Sequence, residues 1–153
     1  MKNDTKTIIG RLETIALPEL AITELQVRVD TGAKTSSLHV DNIVKFIKKG
    51  KPCVTFDIHP DIHNVSHLVS CTAPLSDIRK IKSSNGEAEQ RYVIKTPITL
   101  GEKTWSIEIT LTDRSDMNYL MLLGREALAD QFLVDPSLVF LQTMAQDNNK
   151  NMG

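Results

Sequence analysis

The stretch VRVDTGAKTSSLHV, residues 27–40, decides how this chain is interpreted. The segment that leads into it, ITELQVRV, alternates apolar and polar residues, with Val27 and Val29 on one face, as in a half-buried strand. This strand runs directly into the triplet DTG at 30–32. An aspartate in such a triplet is either a catalytic carboxylate or a turn residue that hydrogen-bonds its own backbone. The remainder of the sequence is needed to choose between them.

Length and composition describe an ordinary globular chain. Its 153 residues fit one domain, 41% of them are hydrophobic and 24% are charged. A net charge of −1 argues against a general nucleic-acid or membrane-surface binder. No segment has the run of about 18 apolar residues that a membrane span needs, and two cysteines are too few for a disulfide scaffold. We therefore expect a cytoplasmic protein that has no nucleic-acid or membrane partner.

Most of the chain carries strand patterns. KKGKP at 48–52 reads as a turn between two β-rich runs, and NG at 85–86 predicts a hairpin. MLLG at 121–124 is continuously apolar, as in a strand buried on both faces. Proline and polar residues predict a loop over 60–75, REALADQFL at 125–133 is the one good helical stretch, and VDPSLVFL at 134–141 reads as a last strand.

Three blocks together resemble a known family. VRVDTGAKTSSLH, RKIKSSNGEAEQRYVIKTPITLG and WSIEITLTDRSDMNYLMLLGREAL look like the blocks of a bacterial family labelled ATP-dependent zinc proteases, whose members are retropepsin-like aspartic peptidases. Some members are linked to glutamate ligases of the ATP-grasp class that modify a ribosomal protein. The resemblance covers roughly residues 8–140. It implies an all-β fold, a closed or nearly closed retropepsin-type (acid protease) barrel with one short C-terminal helix.

The resemblance implies an aspartic peptidase with Asp30 as the catalytic residue and Thr31, Gly32 and Ala33 as its scaffold. Such an enzyme uses two carboxylates that share one proton around a water molecule. This chain has a single DTG triplet, so the dyad requires Asp30 from each of two chains and hence a homodimer. The expected consequence is that Asp30→Asn abolishes turnover and leaves the fold intact.

One departure from the viral retropepsins concerns the residue after Asp-Thr-Gly-Ala. Viral enzymes commonly have an acid there that pairs with the arginine of the Gly-Arg motif, whereas this chain has Lys34. Lys34 cannot pair with Arg125. We therefore expect Arg125 to contact Asp113 or Glu126 instead, and a viral-type dimer does not follow directly from the sequence.

Cations in the matched blocks suggest an acidic substrate, because arginine pairs with carboxylates bidentately. The resulting hypothesis is a peptidase that trims glutamate-rich or glutamyl-modified chains, with the hairpin at about 79–95 as a flap over the cleft. The alternative is that these cations cover solvated strand faces. The candidate substrate-binding residues are Lys34, Arg79, Ser83, Glu89, Arg91 and Arg114.

A metal site has weak support in the sequence. His59, His63 and His67 are evenly spaced, with Cys71 nearby, but Pro60 and Asn64 favour a loop and no HExxH motif occurs. His39 lies in the first block and either lines the cleft or packs. No phosphate-binding glycine loop supports ATP binding. We expect no metal and no other cofactor.

The predicted organisation is a disordered N-terminus (1–7), one retropepsin-like domain (8–141) and a disordered tail (142–153). The runner-up function is a non-catalytic retropepsin-like module that binds an acidic peptide or a partner ligase, because a fold does not fix a function. A dimer with two Asp30 carboxylates in contact distinguishes the enzyme from the binding module.

Overall fold

The structure is a computed structural model that describes residues 5–60, 67–82, 86–113 and 119–142; these residues are mostly β-strand, with one short helix after β10. The prediction of an all-β chain with a short helix near its C-terminal end is confirmed. In chain order the elements are β1 (Thr7–Gly10), β2 (Leu12–Leu17), a 3₁₀ turn (Pro18–Leu20), β3 (Ile22–Asp30), β4 (Ser36–His39), β5 (Asp41–Lys48), β6 (Lys51–Ile58), β7 (Val69–Lys82), β8 (Ala88–Leu100), β9 (Lys103–Thr112), β10 (Met121–Gly124), α1 (Arg125–Leu128) and β11 (Phe132–Asp135).

Six strands form a ring in the order β2-β3-β10-β4-β9-β8, which is closed by the pairing of Ala16 in β2 with Thr99 in β8. The sheet continues from β8 through β7 and β6 to the edge strand β5. Strands β1 and β11 form a separate parallel pair. The nearly closed arrangement that was expected is therefore present as a ring with a three-stranded extension.

The apolar strand β10 lies inside the sheet. It pairs in parallel with β3, where Gly124 is opposite Asp30, and antiparallel with β4, where Met121 is opposite Leu38. Met121 and Leu123 are fully buried. These two residues share one face, and Leu122 on the opposite face is partly buried, so the predicted burial on both faces is complete on one face and partial on the other. The pairing brings the end of β10 next to the end of β3, which carries the DTG triplet.

The core follows from the alternation of the strands. In β3, Leu25, Val27 and Val29 are buried, while Gln26 and Arg28 between them are exposed. Burying such side chains contributes roughly 25 cal/mol per Å² of apolar surface removed from water. The largest fully buried side chains elsewhere in the described residues include Phe56, Leu38, Ile58, Ile94, Ile98, Ile109 and Leu111.

Both predicted turns connect antiparallel neighbours. Strands β5 and β6 meet at Lys49 and Gly50, whose φ angles of 52° and 78° suit a tight two-residue hairpin. Strands β7 and β8 pair up to Lys82 opposite Ala88, as the NG hairpin predicted. The tip of that hairpin, including Asn85, lies outside the described residues.

The loop predicted over 60–75 is wrong in its second half, because β7 already begins at Val69. Cys71 and Ala73 are buried and alternate with exposed residues, so this stretch has a strand pattern that its prolines obscured. Pro74 is tolerated because it is the last β7 residue paired with β6, after which Leu75 pairs with β8.

The predicted helix is also shorter than expected. It ends at Leu128, because Ala129 has extended backbone angles and Asp130 has a φ of 71°. Phe132 therefore belongs to β11, which pairs with β1, and its ring packs 5.2 Å from that of Trp105. The last strand predicted over 134–141 ends early, at Asp135. Tertiary pairing with β1 overrides the helical pattern here.

Candidate active site

Asp30 is the last residue of β3 and begins the turn that carries the triplet. Its Oδ1 accepts a hydrogen bond of 3.0 Å from the Gly32 amide, and its carbonyl accepts one of 3.1 Å from the Ala33 amide. This is the turn geometry that the sequence allowed. A Cβ at Gly32 would lie 3.2 Å from Oδ1, so glycine leaves room for the carboxylate. Asp30 is partly exposed and Thr31 and Gly32 are exposed, so the carboxylate is accessible from solvent.

The backbone after β10 holds this turn in place. The amide of Arg125 donates to the Ala33 carbonyl at 2.8 Å, and that of Glu126 donates to the Lys34 carbonyl at 3.1 Å. Gly124 permits the approach, because a Cβ there would lie 2.7 Å from the Thr35 carbonyl carbon. The Gly-Arg motif therefore positions the triplet through main-chain contacts made at very short range.

The Arg125 side chain also holds the turn that carries the triplet. Its Nη1 donates to the carbonyls of Thr31 and Gly32, at 3.4 and 3.2 Å. The expectation that Arg125 pairs with Asp113 or Glu126 is therefore wrong: Glu126 lies 3.6 Å from Lys34 instead, in an exposed ion pair. A guanidinium can bridge two carbonyls because it carries five donors in a fixed plane.

Ser36 supports the site and was not among the candidate residues predicted from the sequence. It is only 1% exposed, and its hydroxyl accepts a hydrogen bond of 3.0 Å from the Gly124 amide. Its carbonyl accepts another, of 3.2 Å, from the Thr110 hydroxyl. Ser36 thus joins β4, β9 and β10 directly below the turn. A sequence signal for this role was available. Ser36 and Leu38 alternate in the segment SSLH, so the serine lies on the same buried face as Leu38.

The two candidate arginines of the hairpin lie directly opposite each other, because Arg79 in β7 pairs with Arg91 in β8. Arg79 donates from Nε to Asp77 and from Nη2 to Glu108, both at 2.8 Å. The hydrogen bond from Arg79 lowers the pKa of Asp77, and the acidic partners, Asp77 first, raise that of Arg79. Arg91 donates from Nε to Glu89 at 2.6 Å.

A cavity of about 300 Å³ lies beside these groups. Its lining includes Thr35 and Ser36, which follow the Asp30 turn, and Glu108, which pairs with Arg79. Lys95 and Glu126 also line it, so charged side chains border the cavity. The structure thus places this polar cavity within one side chain of Arg79 and next to the segment that begins β4.

Two of the candidate substrate-binding residues, Ser83 and Arg114, lie outside the described residues. Thr31, Ala33 and Lys34 belong to the turn beside Asp30, whereas Glu89 and Arg91 lie on the hairpin. The described residues therefore form two groups, one at the turn and one on the β7–β8 ribbon.

Within the described ranges, the histidines considered for a metal, together with Cys71, do not form a group of closely spaced ligand atoms. His63 lies outside the described residues, His67 is exposed, and His59 lies 3.0 Å from Asp41. Burial, with a smaller contribution from Asp57, raises the pKa of the Cys71 thiol to about 11. At neutral pH it is therefore a neutral thiol rather than the thiolate that binds metals. A different group, His39, Asp41 and Asp113, has ligand atoms within 4.8 Å of one another.

Comparison with known proteins decides the family. Residues 8–145 match the model of the RimB-like family, described as retropepsin-like aspartic endopeptidase RimB. The chain belongs to this family. This membership establishes the retropepsin-like fold and confirms the family resemblance seen in the three sequence blocks. None of the helices in the described ranges is long and apolar enough to cross a membrane.

Curated relatives carry another activity in their names. The chain is 48% identical over 138 residues to a probable alpha-L-glutamate ligase of Shewanella pealeana and 47% identical over 133 residues to one of Desulfotalea psychrophila. These matches cover 90% and 87% of this chain but only 30% and 29% of the relatives. The chain thus spans less than a third of the length of the curated relatives it matches.

A solved structure has the same fold. The crystal structure of a protein of unknown function from Legionella pneumophila superposes with a TM-score of 0.76 at 32% identity. The match covers 90% of this chain and 99% of that one. The fold of this chain therefore also occurs in a solved chain of similar extent.

Proposed function

We propose that this protein is a retropepsin-like peptidase in which Asp30 of two chains activates water to hydrolyse peptide bonds. The observation that carries the proposal is the Asp30 turn: the partly exposed Asp30 accepts a hydrogen bond from the Gly32 amide, and Arg125 holds the turn through its carbonyls. A catalytic carboxylate has to be held within a fraction of an ångström of its working position. Membership of an aspartic endopeptidase-like family supports the same assignment.

The proposed chemistry needs a second carboxylate. One ionised carboxylate takes a proton from water while the other, protonated, polarises the scissile carbonyl. The chain supplies one DTG triplet, so the partner is Asp30 of a second copy, related by a two-fold axis. The exposed Thr31 and Gly32 on the outer side of the turn are the residues that would face that copy.

The proposed substrate is a glutamate-rich or glutamyl-modified chain. Arg79 and Arg91 lie side by side on the ribbon, and their carboxylate partners show that this surface binds carboxylates within the chain itself. The Arg91 side chain, which bonds Glu89 through Nε, is only 11% exposed, whereas that of Arg79 is 32% exposed, so Arg79 is the more open of the two to a substrate carboxylate. Bidentate arginine–carboxylate pairs would select glutamate over neutral residues.

A link to a glutamate ligase supports the same substrate class. The relatives named probable alpha-L-glutamate ligase contain a segment similar to this chain within a much longer protein. We propose that this protein acts in the cytoplasm on the product of such a ligase. The second candidate function is a non-catalytic module that binds an acidic peptide or the ligase itself, which the same ligase names favour equally.

The test is mass spectrometry of a peptide that ends in several glutamates, incubated with the wild-type protein and with Asp30→Asn, each with and without EDTA. The proposal predicts that the wild type shortens the peptide, that EDTA does not abolish cleavage, and that Asp30→Asn is inactive. A peptide with glutamines in place of glutamates is the substrate control. Equal cleavage by Asp30→Asn would remove the aspartic mechanism, and binding of the peptide without cleavage would favour the second candidate.

A further inference from the structure

We infer that His39, Asp41 and Asp113 form a binding site for a divalent transition-metal cation, separate from the Asp30 turn. The three residues come from different elements: His39 ends β4, Asp41 begins β5, and Asp113 follows β9. One ligand atom from each lies within 4.8 Å of the other two. The inference goes beyond the proposed peptidase function and departs from the sequence-based expectation of no metal.

The His39 imidazole faces a carboxylate without reaching it. Its side chain is only 15% exposed, and its Nε2 lies 3.9 Å from Asp41 Oδ1, too far for a hydrogen bond. A cation between these two atoms would bind both, because imidazole nitrogens and carboxylate oxygens are both metal ligands.

A second histidine orients the Asp41 carboxylate. Its Oδ2 lies 3.0 Å from His59 Nε2, while Oδ1 is the oxygen nearest His39. Carboxylates that bind metals are typically oriented by an outer group in this manner. His59 is therefore a positioning residue, and it leaves one Asp41 oxygen directed at the proposed cation.

The donor set and the distances fit a small divalent ion. Imidazole suits zinc, iron and nickel, and carboxylates suit manganese and zinc as well, so one imidazole with two carboxylates favours Zn²⁺ or Mn²⁺. Ligand atoms about 2.0–2.2 Å from one ion are at most about 4.4 Å apart. The separation of 3.9 Å between His39 Nε2 and Asp41 Oδ1 already lies within that limit.

The site is distinct from the candidate active site. Asp30 pairs with Gly124, whose amide is bound by Ser36 at the start of β4, whereas His39 is at the opposite end of that strand, beside Thr112. A four-residue strand separates its ends by about 10 Å. A cation at His39 would join β4, β5 and β9 where the outer β5–β6 hairpin leaves the ring. Its proposed role is to stabilise that junction, not to activate water at Asp30.

Titration calorimetry and thermal melting of the full chain, after dialysis against EDTA, provide the test. ZnCl₂ and MnCl₂ are added separately. The wild type is expected to bind one ion of at least one of these metals per chain and to melt about 5–10 °C higher at 100 times the dissociation constant. Asp41→Asn and His39→Gln are expected to weaken binding at least about 10-fold.

Asp57→Asn is the matched control. Asp57 is opposite Asp41 in the β5–β6 pairing, but its carboxylate is bound by Asn42 and Ser70 and is not one of the three ligands. It is expected to bind the metal as the wild type does. Should His39→Gln fail to fold, as judged by circular dichroism without metal, the exposed Asp113→Asn replaces it.

Two results would overturn the inference: the absence of saturable binding of either metal, or binding that is unchanged in Asp41→Asn and Asp113→Asn. Asp30→Asn is expected to bind the metal normally. If this variant loses peptidase activity but still binds the metal, the metal site and the proposed peptidase function are tested independently of each other.

Discussion

At the scale of single residues, Asp30 stabilises its own turn by accepting a hydrogen bond through Oδ1. The amides of Arg125 and Glu126, far away in the sequence, bind the carbonyls of the same turn. The sequence predicted Asp30, Gly32 and the Gly-Arg motif by resemblance, and it indicated a tight turn. It did not predict how Arg125 is used, because a contact to main-chain carbonyls leaves no complementary charge to find in the sequence.

Ser36→Ala is expected to lower the free energy of unfolding by about 1–3 kcal/mol, because the buried Gly124 amide loses its acceptor. Urea denaturation measures the change. The neighbouring Ser37→Ala is the matched control, since Ser37 is also buried but makes no hydrogen bond through its hydroxyl in the described part of the chain, and it should cost clearly less. Equal losses in the two variants would show that the Ser36 hydroxyl does not support the turn.

Cys71 should be nearly inert towards alkylation in the folded protein. Its pKa of about 11, raised from 9.0 by burial, leaves roughly 100-fold less thiolate at pH 8 than an ordinary cysteine has. In a Cys53→Ser background, the rate of iodoacetamide labelling at pH 8 is compared with and without urea. Because the folded pKa is raised, the thiol also favours folding less as the pH rises through about 9 to 11. A labelling rate that urea does not change would contradict this burial.

At the scale of elements, the pattern of alternating residues predicted most strands, and tertiary contacts account for the failures. Pro74 concealed the start of β7 because the proline sits where this strand transfers from β6 to β8. The helix after Gly124 stops after one turn because Phe132 pairs with β1 and packs on Trp105. Neither partner is near in sequence, so local propensity could not reveal either result.

Glu13 joins β2 to the segment at the C-terminal end. Its side chain is fully buried and accepts hydrogen bonds from the amides of Gly10, Leu141 and Gln142. Glu13→Gln is expected to lower the free energy of unfolding by about 2–3 kcal/mol, because hydrogen bonds to a charged acceptor are the stronger ones. The exposed Glu19→Gln is the control and should change stability little. A thermal melt in which both variants match the wild type would contradict this role.

The β7–β8 ribbon carries the prediction about substrate. Arg79→Gln is expected to raise KM for the glutamate-ended peptide about 10-fold and to leave kcat nearly unchanged, since it removes a charged contact that is remote from the reacting atoms. Lys80→Gln, the exposed neighbour on the same strand, should leave both constants unchanged. A fall in kcat with constant KM would show that Arg79 does not act by binding substrate.

At the scale of the whole molecule, the ring encloses one core and presents the Asp30 turn at an exposed edge, which is what a two-chain active site requires. The family and the all-β fold could be predicted from three sequence blocks, because these blocks pair with one another in the ring. The His39, Asp41 and Asp113 group could not, because it forms only when the ends of three elements meet.

The most direct measurement of the central claim is the peptidase activity of mixed dimers. Wild-type and Asp30→Asn chains are co-folded in varied ratios at constant total protein, and cleavage of the glutamate-ended peptide is measured. If each active site needs Asp30 from both chains, activity falls with the square of the wild-type fraction, to about a quarter in an equal mixture. Activity that falls only in proportion to the wild-type fraction, to about half in that mixture, would contradict a shared dyad.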